Sequence, residues 1–515
     1  AGGGVRMVAT GSDPERTQGG NMQLLWFGNG TWWGVLIGLG LVLVHLAVII
    51  RALTRPHRSA SSRVAWVAVL LFLPLLGVIV YFFLGETSIG RGREERMAAA
   101  EASLPLPRTA QAPALSASAE AIMKLATSIN GFEPAEGNSI TLQADSNAAV
   151  DSLVADIDAA RSTVHISFYI WLADGNGTKV ADAITRAAAR GVTCRIMVDA
   201  LGSRAFLSSA QWSQMGAAGA HCVAGLRDVP RWGRLAVGRP DLRNHRKIVV
   251  IDDAIAYMGS QNCADPEFRV KPKYAPWVDV FFRCTGPLVA QHQWLFLTTW
   301  LTEVPDDAAA RLPAKATLAP SGLNSPAASG GDRGVAAVAF GTGPTVRTGA
   351  MSEAFVAVIG SAHDELVVST PYFVPDEPLL AALCAAPRRG VATTLILPAR
   401  NDSWLVAQSA ESAYERLLEA GVRLYEYPLG LLHSKTITVD GQLSLVGSAN
   451  MDRRSLELNY ENNVVISSAA VTADVRARQQ SYLDASSPVA LETVSAWSLP
   501  RRLVHNVVAM LAPLL

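Results

Sequence analysis

Two segments of the sequence repeat one set of residues suited to acid–base and phosphate chemistry. The first reads NHRKIVVIDDAIAYMGSQN and the second reads LHSKTITVDGQLSLVGSAN. Both contain H-x-K-x-x-x-x-D followed by G-S-x-N, and each residue of the first set lies 188 positions before its counterpart. The shared residues are His245, Lys247, Asp252, Gly259, Ser260 and Asn262 in the first segment, and His433, Lys435, Asp440, Gly447, Ser448 and Asn450 in the second. Two such motifs in register indicate a duplicated site.

The residue types suit the transfer of a phosphodiester. Residues two apart on a strand face the same side, so the His and Lys of each H-x-K project together. If the two halves pack about a pseudo-twofold axis, two imidazoles and two ammonium groups meet in one pocket. One imidazole attacks phosphorus and the other protonates the leaving alkoxide, while Lys, Ser and Asn stabilise the phosphate oxygens. The sequence has no H-E-x-x-H and no carboxylate cluster typical of a two-metal site, so we expect no metal and no cofactor.

The elements that must position these residues are also duplicated. Residues 164–203 read as an apolar strand, an amphipathic helix and a second strand, and residues 366–398 repeat that order. Similarity at a separation of about 190 residues predicts a duplicated α/β domain rather than a solenoid.

From about Asn130 to about Ser487 the chain resembles the phospholipase D superfamily, whose signature is the duplicated H-x-K-x-x-x-x-D motif. The resemblance implies two α/β sandwich domains that share a pseudo-twofold active site. It also implies that one motif histidine becomes a covalent phosphohistidine while the other acts as general acid and then as base. We expect His245 to be the nucleophile, although the symmetry of the repeat allows His433 to exchange roles with it.

The resemblance implies roles for the other motif residues. The phosphate is bound by Lys247, Lys435, Ser260, Asn262, Ser448 and Asn450. The aspartates Asp252 and Asp440 complete the catalytic motif from a more structural position. The acids that orient the histidines are expected at Asp279 in PWVDV and at Glu461 in LNYEN.

Three longer segments are similar to the bacterial cardiolipin synthases of this superfamily: LPLLGVIVYFFLGE, TPYFVPDE and GSANMDRRSLELNYE. This similarity implies a phosphatidyltransferase that moves a phosphatidyl group from one phosphatidylglycerol to another and releases glycerol. Two alternatives use the same scaffold, namely a hydrolase acting on lipid or nucleic acid and an inactive binding protein. The intact motifs disfavour the inactive protein. Zero net charge and membrane spans disfavour nucleic acid, whereas the similarity implies anionic phospholipids in a membrane as partners.

Two uncharged runs near the N-terminus, residues 31–50 and 64–84, predict transmembrane helices. At about 1.5 Å per residue, each covers the roughly 30 Å core of a bilayer. Buried core helices or a cleaved signal peptide fit these runs less well. Four arginines and no acid lie between the runs, and three arginines follow the second. The positive-inside rule therefore places the catalytic domain outside the cytoplasm, on a multi-pass protein of the bacterial cytoplasmic (inner) membrane.

The composition divides the chain into seven segments. They are a disordered N-terminal segment (1–30), a two-helix transmembrane hairpin (31–84), a linker (85–129), a first phospholipase D-like domain (130–304), a second linker (305–334), a second phospholipase D-like domain (335–500) and an amphipathic C-terminal tail (501–515). Met22 is a candidate start. Between Arg227 and Lys247, seven basic residues against two aspartates predict either a guide for anionic head groups or a solvated loop. The tail is expected either on the bilayer or against the domain.

Overall fold

The protein is described by a computed structural model, which covers residues 24–56, 60–85, 89–109, 113–227, 241–304 and 334–510. The chain divides into an N-terminal unit that ends at Gly85 and a second unit that begins at Glu86. Several predictions lie outside the described residues. These are residues 1–23 of the segment predicted to be disordered, most of the linker 305–334, the centre of the basic segment (228–240) and the last five residues of the tail. Residues 24–30 of the predicted disordered segment are helical, which corrects its boundary.

The N-terminal unit contains the two apolar runs. Its elements are α1 (Leu24–Thr54), α2 (Ala60–Phe72), α3 (Pro74–Val80) and a π-helical turn (Tyr81–Gly85). Among the described residues, one helix is long and apolar enough to cross a membrane, at Trp32–Thr54. The second run is not one continuous helix. Leu73 leaves the helical conformation, with φ −131° and ψ 66°, because Pro74 disfavours that conformation in the residue before it. Of the two predicted spans, only the first has the expected form.

Fifteen strands within the described residues of the second unit form a single sheet. The strands of the first repeat are β1 (Ala135–Leu142), β2 (Thr163–Phe168), β3 (Thr193–Asp199), β4 (His221–Gly225), β5 (Ile248–Ile251), β6 (Ile255–Gly259), β7 (Trp277–Val278) and β8 (Phe281–Thr285). Those of the second repeat are β9 (Val335–Thr342), β10 (Glu365–Ser369), β11 (Ala392–Pro398), β12 (Arg423–Tyr427), β13 (Leu431–Leu432), β14 (Thr436–Val439), β15 (Leu443–Gly447), β16 (Glu461–Ser467) and β17 (Ser487–Pro488).

The order of the strands confirms the predicted duplication. The sheet runs β17-β12-β11-β10-β14-β15-β16-β9-β1-β8-β6-β5-β2-β3-β4. Outward from the central pair β9 and β1, each half has the same sequence of pairings over seven strands, with its parallel pairs toward the outer end. The second half adds β17, which pairs antiparallel with β12. Strands β7 and β13 stand apart from this sheet and pair with each other in parallel. The two repeats are therefore joined edge to edge about a pseudo-twofold axis between β1 and β9.

Helices cover the sheet and share one core across both repeats. They are α4 (Arg91–Ser103), α5 (Ala117–Asn130), α6 (Ser146–Ala159), α7 (Gly175–Ala189), α8 (Ala210–Ala217), α9 (Leu288–Glu303), α10 (Ala350–Gly360), α11 (Glu377–Arg388), α12 (Trp404–Glu411), α13 (Tyr414–Glu419), α14 (Arg453–Glu457), α15 (Ala469–Ala485), α16 (Leu491–Ser495) and α17 (Leu499–Met510), with 3₁₀ turns at Phe206–Ser208 and Pro272–Tyr274. Helix α9 packs on β5 of its own repeat and on β9 of the other, and α15 packs on β15 and on β1. The largest core therefore extends across both predicted domains, whereas a second core between α6, α7 and strands β2, β3 and β5 belongs to the first repeat alone.

The predicted linker at 85–129 is largely helical, which corrects the sequence-based boundary. Helix α4 is tied to α9 by the buried pair of Arg93 and Glu303, and Glu303 also accepts the backbone N–H of Leu226 at 2.9 Å. Helix α5 buries Ile122 and Met123 in the shared core. Alanine-rich composition was interpreted as a linker, but alanine is the strongest helix former.

Candidate active site

The two motif histidines line a single cavity of about 400 Å³. His245 lies just before β5 and His433 lies between β13 and β14, so each H-x-K segment precedes the strand on which it was predicted to lie. Both side chains are almost fully buried. The convergence expected from a pseudo-twofold axis is therefore present.

Each histidine is held by an acid from the opposite repeat. Nδ1 of His245 lies 2.8 Å from Oε2 of Glu461, and Nδ1 of His433 lies 2.6 Å from Oδ1 of Asp279. A carboxylate accepts hydrogen bonds, so Nδ1 carries the proton in each ring and Nε2 remains for chemistry. The contacts agree with the expectation that Asp279 and Glu461 orient the histidines. The sequence did not predict that each acid would come from the opposite repeat.

Short backbone pairings fix these crossed contacts. The strands β7 and β13 end one residue before Asp279 and His433, and the N–H of His433 donates to the carbonyl of Val278 at 2.8 Å. The counterpart is a parallel bridge between Asn244 and Tyr460, in which the N–H of His245 donates to the carbonyl of Tyr460 at 2.9 Å. Each histidine and its acid are thus adjacent because their backbones are paired.

The motif serines bind the acids rather than an open pocket. Oγ of Ser260 donates to Oδ1 of Asp279 at 2.6 Å, and Oγ of Ser448 donates to Glu461. Neither serine is among the residues that line the cavity. That Ser260 and Ser448 bind phosphate stays a prediction, and these contacts give both serines a different role. Their hydroxyl protons already have acceptors, and they hold the carboxylates in place.

The motif aspartates also lie away from the cavity. The carboxylate of Asp252 accepts the backbone N–H groups of residues 161–163, and that of Asp440 accepts those of residues 363–365. Seven residues separate each aspartate from its histidine, which is roughly 20 Å along a strand. Their placement among the catalytic residues is corrected accordingly: Asp252 and Asp440 secure the turns at the far ends of β5 and β14.

The motif lysines sit behind the histidines. Nζ of Lys247 donates to the carbonyl of His245 at 2.8 Å, and Nζ of Lys435 donates to the carbonyl of His433 at 2.7 Å. Neither is among the residues that line the cavity. Burial lowers the pKa of Lys247 to about 7 and that of Lys435 to about 8, although Glu461 and Asp279 oppose the shift. That these two lysines bind phosphate stays a prediction.

The motif asparagines do reach the cavity. Oδ1 of Asn262 accepts the N–H of Ile170 at 3.2 Å, whereas its buried Nδ2 has no hydrogen-bond partner in the described part of the chain. Nδ2 of Asn450 makes a long contact of 3.4 Å with Asp452. A buried donor without a partner is costly, so Asn262 is prepared to bind an oxygen of a ligand.

Burial dominates the electrostatics of the histidines. It lowers the pKa of His433 to about 4 and the pKa of His245 well below its usual value, and the buried lysines add to both shifts. Burial likewise raises the pKa of Glu461, whereas in Asp279 burial is outweighed by His433, Lys435 and hydrogen bonds, which lower the pKa. Both imidazoles are therefore neutral near pH 7, which is the form that an attacking nitrogen needs.

Arg246 is a positioning residue that the motif analysis missed. It lies between His245 and Lys247 and faces the other side of the strand, where its guanidinium donates to the carbonyl of Glu461 at 3.1 Å and to Thr299 at 2.8 Å. The sequence could have indicated this role, because in an extended segment the middle residue of H-x-K points away from the histidine and the lysine on either side. Within the described ranges, no group of three or more His, Cys, Asp or Glu side chains could hold a metal ion.

Comparison with known proteins shows which family the chain resembles. The model of the "Cardiolipin synthase, PLD-like domain" family matches residues 153–272 and 355–482, and a phospholipase D-nuclease N-terminal model matches residues 41–86. Cardiolipin synthase A of Escherichia fergusonii is 35% identical over 468 residues, which cover 88% of this chain and 92% of that protein. Cardiolipin synthase A of Klebsiella pneumoniae is 34% identical over 497 residues, or 94% and 98% of the two chains.

A solved structure supports the fold. The crystal structure of phosphatidylserine synthase from Haemophilus influenzae matches with a TM-score of 0.54 at 15% identity, covering 76% of this chain and 96% of that one. The duplicated motifs, the matched domains and the full-length relatives agree with one another, and they identify an enzyme of the phosphatidyltransferase class. The chain belongs to the bacterial cardiolipin synthase family of the phospholipase D superfamily.

Proposed function

We propose that this protein makes cardiolipin from two molecules of phosphatidylglycerol through a phosphohistidine intermediate on His245. The observation that carries the proposal is the pair of histidines in one cavity, each with Nδ1 held by an acid of the opposite repeat. Nε2 of His245 can then attack the phosphorus while Nε2 of His433 serves the leaving oxygen.

In the first step, the Nε2 lone pair of His245 attacks the phosphorus of phosphatidylglycerol. The phosphorus–oxygen bond to glycerol breaks, and His433 gives its Nε2 proton to the leaving oxygen. The pKa of His433 is about 4, but a bound phosphodiester anion and Asp279 both favour the imidazolium. Glycerol leaves, and a phosphatidyl group remains on His245.

In the second step, a hydroxyl of another phosphatidylglycerol gives its proton to His433 and attacks phosphorus. The phosphorus–nitrogen bond breaks, which restores both histidines and releases cardiolipin. One phosphodiester replaces another, so no nucleotide is required. The charges of Lys247 and Lys435 and the amide of Asn262 support the negative oxygens of the transition state.

The membrane placement is part of the proposal. Trp32–Thr54 has the length and composition of a span, and we infer that the bent second run completes a hairpin in the bacterial inner membrane. From the basic loop between the runs we also infer that the catalytic unit lies outside the cytoplasm. Both lipid substrates would then be confined to the surface that holds the enzyme.

The test is a product assay with the full chain in phosphatidylglycerol vesicles. Glycerol and cardiolipin should form in equal amounts, because each transfer releases one glycerol. Phosphatidic acid as the main product would show that water is the acceptor and would replace the proposal with a hydrolase. Cardiolipin that forms only when phosphatidylethanolamine is added would contradict phosphatidylglycerol as both donor and acceptor.

The ionisation of the lysines predicts a loss of activity at alkaline pH. With a pKa of about 7 for Lys247 and about 8 for Lys435, both amines become neutral as the pH rises through this range. A neutral amine no longer stabilises the phosphate, so kcat/KM, which reports ionisations of the free enzyme, should fall. The measurement is kcat/KM for phosphatidylglycerol from neutral to alkaline pH. A rise across the same range would contradict this role for the lysines.

A further inference from the structure

Three segments with exposed apolar side chains border the mouth of the cavity. Gly202, Val270 and Ser403 line the cavity and lie beside or within these segments. The exposed side chains are Leu201, Val270 and Trp404, with 55%, 63% and 61% of their surface accessible. Single exposed apolar residues are ordinary on a soluble protein. Three at one opening are a patch that needs an explanation.

The same segments are basic. Arg204, Arg269, Lys271, Lys273 and Arg400 are all exposed beside these apolar residues. Of these, Lys271 reaches across the mouth to Asp402 of the other repeat at 2.6 Å. Glu267 is the exposed acid in the neighbouring sequence. Apolar tips surrounded by cations match the surface of an anionic bilayer, where tryptophan also concentrates.

The basic side chains of helix α17 are paired with acids of the neighbouring helices. Arg502 binds Glu415 at 2.6 Å, Arg501 binds Glu411 at 2.7 Å, and His505 is buried. Its outer side is a stripe at helical spacing, in which Leu499, Leu503, Val507 and Met510 are 80%, 61%, 48% and 73% exposed. A surface helix of a soluble domain normally shows the reverse arrangement, with its apolar stripe inside.

Helix α17 is linked to the cavity mouth through α12. It packs on α12, which begins at Trp404. Arg501 and His505 both contact Glu411, the last residue of α12, and Arg502 contacts Glu415 of α13. The stripe of α17 therefore lies on a helix that packs against the helix beginning at the opening.

We propose that the cavity mouth and the outer stripe of α17 together form a docking surface for an anionic lipid bilayer. We call it the docking face, and it consists of Leu201, Arg204, Arg269, Val270, Lys273, Trp404, Leu499, Leu503, Val507 and Met510. It deepens the proposed function and rests on it, because lipid substrates are what the cavity must draw from the bilayer. A second copy of the chain is a poorer occupant, since it would bring an identical basic rim against this one.

Docking would let a lipid head group reach the histidines without its acyl chains leaving the membrane. Val270 and Trp404 would enter the interfacial region, and Arg269 and Lys273 would contact lipid phosphates. This contact is separate from anchoring by the N-terminal helix, which would hold the chain at the membrane without orienting the opening.

The direct test is the contact itself, measured on the full chain in phosphatidylglycerol vesicles. An environment-sensitive fluorophore is attached to Val270→Cys or Leu503→Cys, and vesicles containing brominated lipid serve as the quencher. The matched control is His363→Cys, whose side chain is 77% exposed and lies beside Asp440 at the strand ends away from the histidines. Four of the five native cysteines are buried, so wild-type protein provides a low background.

The docking face is supported if brominated lipid quenches the probes at residues 270 and 503 but not the probe at residue 363. Equal quenching at all three sites, or none, overturns it. Probes that self-quench in detergent at residue 503 would assign the face to a second copy. None of these readouts depends on turnover. If the probes at residues 270 and 503 are quenched but no cardiolipin forms, the proposed function is contradicted and the docking face is not.

A paired variant tests the consequence for activity. Arg269→Gln with Lys273→Gln, and separately Leu503→Ser with Val507→Ser, should lower the rate on vesicles by about tenfold, as expected for the loss of interfacial contacts. The rate on a short-chain phosphatidylglycerol dissolved as monomers should stay within about twofold, since that substrate needs no bilayer. An equal loss on both substrates would overturn the docking role.

Discussion

Replacing His433 with alanine is expected to lower turnover of phosphatidylglycerol by about 10²–10⁴-fold, the range for loss of a general acid and base. A donor with p-nitrophenol in place of glycerol separates the two steps, because nitrophenolate leaves without a proton. With this donor, His433→Ala should release one equivalent of nitrophenolate in a burst and then stop. The phosphatidyl group would remain on Nε2 of His245, detectable as a mass increase of the acid-labile adduct.

The companion variant His245→Ala should give no burst, because it lacks the nitrogen that forms the bond. His363→Ala is the matched control, since that imidazole is exposed and lies outside the cavity, and its rate should be unchanged. A burst from His245→Ala and none from His433→Ala would exchange the two roles. Normal turnover by either variant would contradict the two-histidine mechanism.

The second large effect is expected when either of the two acids is replaced. Each replacement should impair the histidine of the opposite repeat. Asp279→Asn removes the negative charge that orients and stabilises the imidazolium of His433. Glu461→Gln removes the negative charge that orients and stabilises the ring of His245. Each should reduce steady-state turnover by roughly 10²–10⁴-fold, as found for orienting carboxylates in other enzymes. The nitrophenyl donor should distinguish them. Asp279→Asn should keep its burst, and Glu461→Gln should slow it.

A merely structural role for these acids would not separate the two steps. If Asp279→Asn slowed the burst as much as Glu461→Gln does, the crossed pairing would be contradicted. Asp156→Asn is the matched control, because this carboxylate is partly buried against Arg283 at 2.7 Å but lies outside the cavity. Its burst and its turnover should both be close to those of the unmodified protein.

The duplication of the motif was enough to predict the fold of the catalytic unit and the meeting of the two histidines. The acids were also predicted, at Asp279 and Glu461, but not which histidine each would hold. That pairing depends on the packing of one repeat against the other through β7, β13 and the Tyr460 bridge. A strand of two residues is too short to show an alternation of apolar and polar side chains, so the sequence pattern does not predict it.

The differences from the predictions have equally local causes. Ser260 and Ser448 are polar and next to the site, but a sequence cannot tell whether a hydroxyl faces a ligand or a carboxylate behind it. The second membrane run was predicted from composition, which does not register that Pro74 interrupts a helix at Leu73. The helices α4 and α5 were missed because an alanine-rich stretch serves equally as a linker or as a helix, and only packing against α9 and β9 decides.

The crossed pairing of the histidines also limits how such a gene can change by recombination. His433 depends on an acid encoded 154 residues earlier, and His245 on one encoded 216 residues later. A crossover between the repeats would give a chimera in which each histidine meets an acid from a different parent. Such chimeras should be active only when the parents share the backbone register at Val278 and Tyr460, so the two halves are expected to be inherited together.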